Sequence, residues 1–408
     1  MSRWALGVLC ALAPGAAGAG SSDASSPVDP AARGSALEAA LSTPGSRFEQ
    51  LAALERLLES QPTFPIVEGE GLVHFVFRGS ARDVRLEACL AAPDGDPLHR
   101  FPGSDIFYRS YSVQPGERLE YRFLVDGETR LTDPRNPYAS PGRDGVGDVS
   151  ELRAPGYEPA PHTAAPAGYP RGRLVDLRLR SSALDEMRRV RVYLPAGYAP
   201  IGERYPLLVV SDGFRVLRLG RAAHSLDNLI NARVTPIVAA FVEAHMPEEG
   251  VGRRGGAYAR LLGAEIVPFL EGRFFVGGAP ERRAVLGVDR GTTPALAAAA
   301  IYPGSFGKLA LQSVHLDSSL GEEAIRALGR ARQPLEVYLD WSRCELRSSS
   351  GQDLREHAAR LVRRLESAGL GYYGGEAPGG SGWGSWRSRT DRVLEAFFPL
   401  YVGGRRAP

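Results

Sequence analysis

Asp289 stands at the centre of Gly287-Val288-Asp289-Arg290-Gly291, between the apolar run 283–286 and the small-residue run 294–300. An apolar strand that turns sharply into a helix lifts the central residue of the turn clear of both, and so offers it as a nucleophile. Glycines flank such a residue because side chains there would clash with the strand and helix that meet at the turn. An aspartate in this place can attack carbon, but the ester it forms is released only if an imidazole activates water. His315, just past the strand-like run 309–313, is the candidate imidazole, because open α/β sheets gather active sites at the C-terminal ends of their strands. A hydroxyl nucleophile would need an imidazole, a carboxylate to orient it, and two backbone N–H groups for the oxyanion. Asp340 and Glu345, at and beyond the end of the run 335–340, are both candidates for that carboxylate, and no histidine follows His357. Backbone groups of Gly213, Phe214 and Arg290 are the candidate oxyanion donors. Arg290 is also the expected ion-pair partner of Asp289.

Elements must position these groups. The runs 206–213, 237–242, 283–288, 309–313 and 335–340 are apolar and alternate with helical patterns such as 258–270 and 353–368. That pattern predicts a mostly parallel sheet with helices on both faces, opened by an antiparallel pair over 174–180 and 190–194. Upstream, the runs 72–78, 84–90 and 119–125, punctuated by Asp94-Gly95 and Asp126-Gly127, predict a small all-β sandwich. Phe48, Leu51, Leu54, Leu57 and Leu58 recur at helical spacing before Pro62 and Pro65.

The chain has 408 residues, 43% of them hydrophobic and 24% charged, with a formal net charge of +2. This length suits two domains with tails, and the dispersed arginines give no warrant for nucleic-acid binding. Arg3, the apolar stretch 4–13 and Ala17-Gly18-Ala19 read as a leader cleaved after Ala19, which predicts a secreted or periplasmic protein without a transmembrane segment once cleaved. The remaining cysteines, Cys89 and Cys344, fall in different expected domains, which does not favour their pairing. No Cys/His metal spacing is present, so no metal and no cofactor are expected.

Several segments recur in a telling order. They are Thr132-Asp133-Pro134-Arg135-Asn136-Pro137-Tyr138, Val192-Tyr193-Leu194-Pro195, Pro206-Leu207-Leu208-Val209-Val210-Ser211-Asp212-Gly213, Tyr302-Pro303-Gly304-Ser305-Phe306-Gly307-Lys308, and Trp383-Gly384-Ser385-Trp386-Arg387. Together with the turn at Asp289 they resemble the enterochelin-esterase-like branch of the Putative esterase (esterase D) family. The resemblance implies an α/β-hydrolase domain behind an early-set immunoglobulin-like sandwich, and a small ester-like ligand. It divides the chain into a signal peptide (1–19), a disordered tether with a short helix (20–63), the sandwich (64–153), a linker (154–170) and the hydrolase domain (171–403). In that family the turn holds serine and the C-terminal glycine-rich loop holds histidine. Here those places hold Asp289 and Ser381, and Arg253 and Arg254 stand in a segment where an acidic residue is usual. The resemblance therefore implies the esterase scaffold without its triad, hence a catalytically silent protein with a binding or scaffold role. The alternative is a hydrolase that works through Asp289 and His315.

Overall fold

The computed structural model describes residues 32–143, 145–168, 170–244, 252–316, 318–329, 334–345, 353–402 and 405–406. The expected leader and residues 20–31 of the expected tether lie outside the described residues. Two helices, α1 (Ala36–Leu41) and α2 (Arg47–Ser60), open the described chain. Ser46 and Glu49 close a reciprocal capping box on α2. The second helix was expected. The first was not, because six residues are too few to show a period. Leu37, Leu41, Leu54 and Leu58 pack on Val76, Ile106 and Tyr108 of the sandwich, so this part of the expected tether is an integral layer.

The sandwich strands are β1 (Ile66–Glu68), β2 (Leu72–Arg78), β3 (Val84–Ala88), β4 (Asp96–Pro97), β5 (His99–Arg100), β6 (Ile106–Ser112), β7 (Arg118–Val125), β8 (Thr129–Leu131), β9 (Ala139–Pro141) and β10 (Asp148–Arg153). One sheet runs β1-β2-β6-β5 and the other β4-β3-β7-β10-β9, with β8 on β7. Phe75, Phe77, Leu86, Phe107, Tyr121 and Phe123 fill the space between them. The 132–138 segment closes the second sheet: Tyr121 donates to Asp133 at 2.7 Å, and the Asn136 amide donates to the Glu151 carbonyl.

The second domain has an eight-stranded sheet in the order β11 (Arg173–Ser181), β12 (Glu186–Leu194), β14 (Val238–Val242), β13 (Leu207–Val210), β15 (Arg283–Val288), β16 (Lys308–Gln312), β17 (Glu336–Cys344), β18 (Tyr372–Gly380). The pairs β11/β12 and β12/β14 are antiparallel and the rest parallel, which is the α/β-hydrolase arrangement. Strand side chains alternate between two helix layers, as a period of two demands. Val209, Val285, Leu309 and Val337 face α5 (Gly252–Arg260), α6 (Ile266–Glu271), α7 (Thr292–Ile301), α8 (Ser319–Leu328) and α9 (Leu354–Ser367). Leu208, Leu286, Ala310 and Tyr338 face α3 (Gly213–Arg218), α4 (Ala222–Leu229), α10 (Trp383–Ser388) and α11 (Thr390–Phe397).

The domains meet along β7, the end of β18 and the start of α10. A Cβ on Gly379 would lie 2.7 Å from the Arg118 carbonyl, and one on Gly384 would lie 1.9 Å from the Arg118 guanidinium. Arg118, buried, donates to Ser385 across this boundary and pairs with Glu120 and Glu151. Cys89 and Cys344 form a disulfide with Cα atoms 5.5 Å apart, which corrects the expectation against pairing. The two cysteines belong to different domains, but those domains are in contact at this point. Among the described residues no helix is long and apolar enough to cross a membrane.

Candidate active site

The turn at Asp289 is built as its glycines require. A Cβ on Gly287 would sit 2.4 Å from the Gly291 carbonyl, and one on Gly291 would sit 3.0 Å from the Ser211 carbonyl. Asp289 itself has φ 54° and is 3% exposed. A non-glycine residue held in the left-handed region marks a place where the surrounding structure over-determines the backbone. The Thr292 hydroxyl fastens the turn by donating to the Asp289 carbonyl at 2.5 Å.

His315 is brought to Asp289. The backbone N–H of His315 donates to Thr292 Oγ1 at 2.9 Å, and its ring Nε2 lies 2.7 Å from Asp289 Oδ1. The same Nε2 is also met by Arg143 Nη2, a group that can only donate, so this nitrogen is taken up by a carboxylate on one side and a guanidinium on the other.

The carboxylate's main partner is one that the sequence did not suggest. Arg143, in the hairpin between β9 and β10 of the sandwich, places Nε 3.1 Å from both Asp289 oxygens, and its Nη2 donates to Oδ1 beside His315. The expected partner, Arg290, is instead exposed. Burial pushes the Asp289 carboxyl up, but the charge of Arg143 and the hydrogen bond from His315 outweigh it and hold the group far below the usual carboxylate range. The Arg143 carbonyl accepts from Trp383 Nε1 at 3.1 Å and from Arg215, whose guanidinium also meets Asp212 at 3.5 Å.

The remaining candidates divide. Ser381 is 4% exposed, and its Oγ has no hydrogen-bond partner among the described residues. Glu345, beyond the end of β17, accepts from Ser313 Oγ at 2.6 Å and from the Ser342 N–H at 2.8 Å. Asp340 instead shares a strand face with Tyr338 and is held by Arg389 at 3.0 Å, Tyr338 at 2.9 Å and Gln312 at 3.0 Å. It points into the α10/α11 layer, so of the two carboxylates only Glu345 lines the cleft. Gly213 opens α3 where an added Cβ would lie 2.4 Å from the Phe241 Cα, and Phe214 lies under the guanidinium groups of Arg189 and Arg191. His357, the last histidine in the sequence, is 5% exposed and accepts from the Leu316 N–H at 3.2 Å.

Asp289, His315, Arg143, Arg215, Arg290, Glu345 and Ser381 line one cleft of about 860 Å³, with Cys89 and Glu120 of the sandwich on its other wall. It is a three-sided arrangement of carboxylate, guanidinium and imidazole. It can bind charged or hydrogen-bonding groups; among the described residues that line it, Ser381 Oγ has no hydrogen-bond partner and His315 Nε2 is engaged by Asp289 and Arg143.

The chain is similar in fold to two solved esterases. The Ferric Enterobactin Esterase of Salmonella typhimurium superposes with a TM-score of 0.66 at 19% identity, over 84% of this chain and 98% of that one. The enterobactin esterase of Shigella flexneri, solved with 2,3-Di-hydroxy-N-benzoyl-serine, gives 0.64 at 17% identity over 84% and 98%. In sequence, the chain is 27% identical over 161 residues to the Uncharacterized protein YjcH of Bacillus subtilis (strain 168), a match covering 37% of this chain and 65% of that protein, under two thirds of its length. Residues 181–396, more than half of the chain and including the Asp289 turn, His315 and Ser381, match the family model described as Putative esterase, and the chain belongs to that family.

Proposed function

We propose that this is an exported, catalytically silent member of its family that uses the retained cleft to bind a small ester-like ligand. The observation that carries this reading is the state of Asp289: both carboxylate oxygens are engaged by Arg143, and one also by His315. An attacking carboxylate must present a lone pair to carbon, and one stabilised by a guanidinium is both occupied and weakly nucleophilic. Ser381 has no base beside it among the described residues, so it is not an activated hydroxyl either. Solved relatives in fold were crystallised with enterobactin or with 2,3-Di-hydroxy-N-benzoyl-serine, which supports a small organic ligand for this cleft. Export is supported by the leader-like first residues and by a disulfide, a bond that persists in oxidising compartments.

The test is direct. Wild-type protein is expected to show no burst and negligible turnover of p-nitrophenyl esters, and no labelling by a fluorophosphonate. A second reading, hydrolysis through Asp289 and His315, is favoured by their 2.7 Å separation. Strong wild-type turnover that disappears in both Asp289→Asn and His315→Ala would establish that reading and remove the first.

A further inference from the structure

We infer that Asp289 and His315 form a receptor for a guanidinium group, and that its resident ligand is Arg143 of this same chain. The former reaction point thus serves to hold the sandwich's β9–β10 hairpin in the cleft. This rests on the silent reading of Asp289 given above.

The geometry is that of recognition. Guanidinium and carboxylate meet through more than one N–H, the directional contact that distinguishes arginine from lysine. The carboxylate sits on a backbone held in the left-handed region, and the backbone that carries the imidazole is fixed by Thr292, which accepts from the His315 N–H, and by Thr293, whose hydroxyl donates to the His315 carbonyl. The socket is therefore preorganised by the hydrolase domain alone. Its occupant is grasped at the backbone too, because Trp383 and Arg215 both donate to the Arg143 carbonyl. The hairpin is compact, with the Gly142 N–H on the Gly147 carbonyl at 3.0 Å and the Gly145 N–H on the Gly142 carbonyl at 2.8 Å. A Cβ at Gly145, where φ is +78°, would lie 3.0 Å from Leu219 of the hydrolase domain, so a bare backbone suits the close approach. The cleft is only partly filled by this latch, which leaves room for a ligand alongside it.

Other contacts hold the domains together independently: the disulfide, Arg118 with Ser385, and Arg343 with Glu117. Loss of the latch should free the hairpin without separating the domains, and that makes the inference testable on the intact, oxidised chain. Hydrogen exchange of the 139–150 peptide would be followed in wild type, Asp289→Asn, Arg143→Met and the double variant. The expectation is that each single change speeds exchange of the hairpin amides about tenfold or more, and that the double change adds little to either. In Asp289→Asn, Arg143 should also become open to phenylglyoxal, mapped by mass spectrometry. Unchanged hairpin exchange in folded Arg143→Met would overturn the inference, as would phenylglyoxal reactivity of Arg143 in wild type equal to that of an exposed arginine. If Asp289→Asn does not fold, Arg143→Met and the wild-type labelling still decide. Ester turnover of the same samples separates the two claims: activity lost with Asp289 defeats the silent reading, whatever the hairpin does.

Discussion

At the scale of single residues, the proposed silence is tested by building a triad, which asks for more than one change. Asp289→Ser with Ser381→His would supply nucleophile and base, and Glu345 would be at hand with an oxygen that has no hydrogen-bond partner among the described residues. Measurable p-nitrophenyl ester turnover is expected from the pair of changes and from neither alone, because triad members act as a unit. Adding Arg143→Met should raise it again by removing the group that fills the reaction point, whereas Glu345→Gln in the same background should lower it. The pH behaviour follows from Asp289. A carboxyl whose folded-state proton affinity is depressed contributes stability that is complete above its unfolded value near 3.8 and fades as pH falls toward the folded one. The melting difference between wild type and Asp289→Asn should therefore persist undiminished from neutral pH to about 5 and shrink below about 4. At neutral pH, with Arg143 keeping 20% of its side chain exposed, it should correspond to about 2–3 kcal/mol, under the value for a fully buried pair. The nearness of Asp289 and His315 was legible in the sequence, because both sit at strand ends of one sheet. Arg143 was not legible: nothing local in Pro141-Gly142-Arg143 says that a sandwich hairpin reaches a cleft made by residues far along the chain.

At the scale of elements, the apolar runs of the second domain became its central strands, since buried parallel strands carry an unmixed signal. The choice between Asp340 and Glu345 was not legible, because it depends on which face β17 turns toward α10 and α11. That face gives a stability prediction. Asp340 and Arg389 have 2% and 4% of their side chains exposed, so Asp340→Ala strands a buried guanidinium and should cost about 3–5 kcal/mol in urea unfolding. Glu345→Gln, at the cleft margin, should cost much less. Gly379 gives another. With φ +87° and the Arg118 carbonyl 2.7 Å from any added Cβ, Gly379→Ala should destabilise by more than about 1 kcal/mol, because both the backbone and the domain boundary oppose it. A melting curve as high as that of wild type would show that β7 can retreat from the end of β18.

At the scale of the whole molecule, the two domains are joined twice, by the chain through 154–170 and by Cys89–Cys344. The connecting segment is itself seated on the hydrolase domain, with Asn228 donating to the carbonyls of His162 and Ala164. Proteolysis within it is expected to give fragments that migrate together on a denaturing gel until dithiothreitol is added. Fragments that separate without reductant would show that the bridge is not formed. That bond also keeps a history. In the folded molecule it ties the sandwich edge to the end of β17, so its closure is expected to accompany the docking of the two domains. In a pulse-labelling experiment under oxidising conditions, the rise of oxidised Cys89 would therefore follow assembly, and the thiol remaining would report the copies not yet assembled. The protein would thus carry its own clock for maturation.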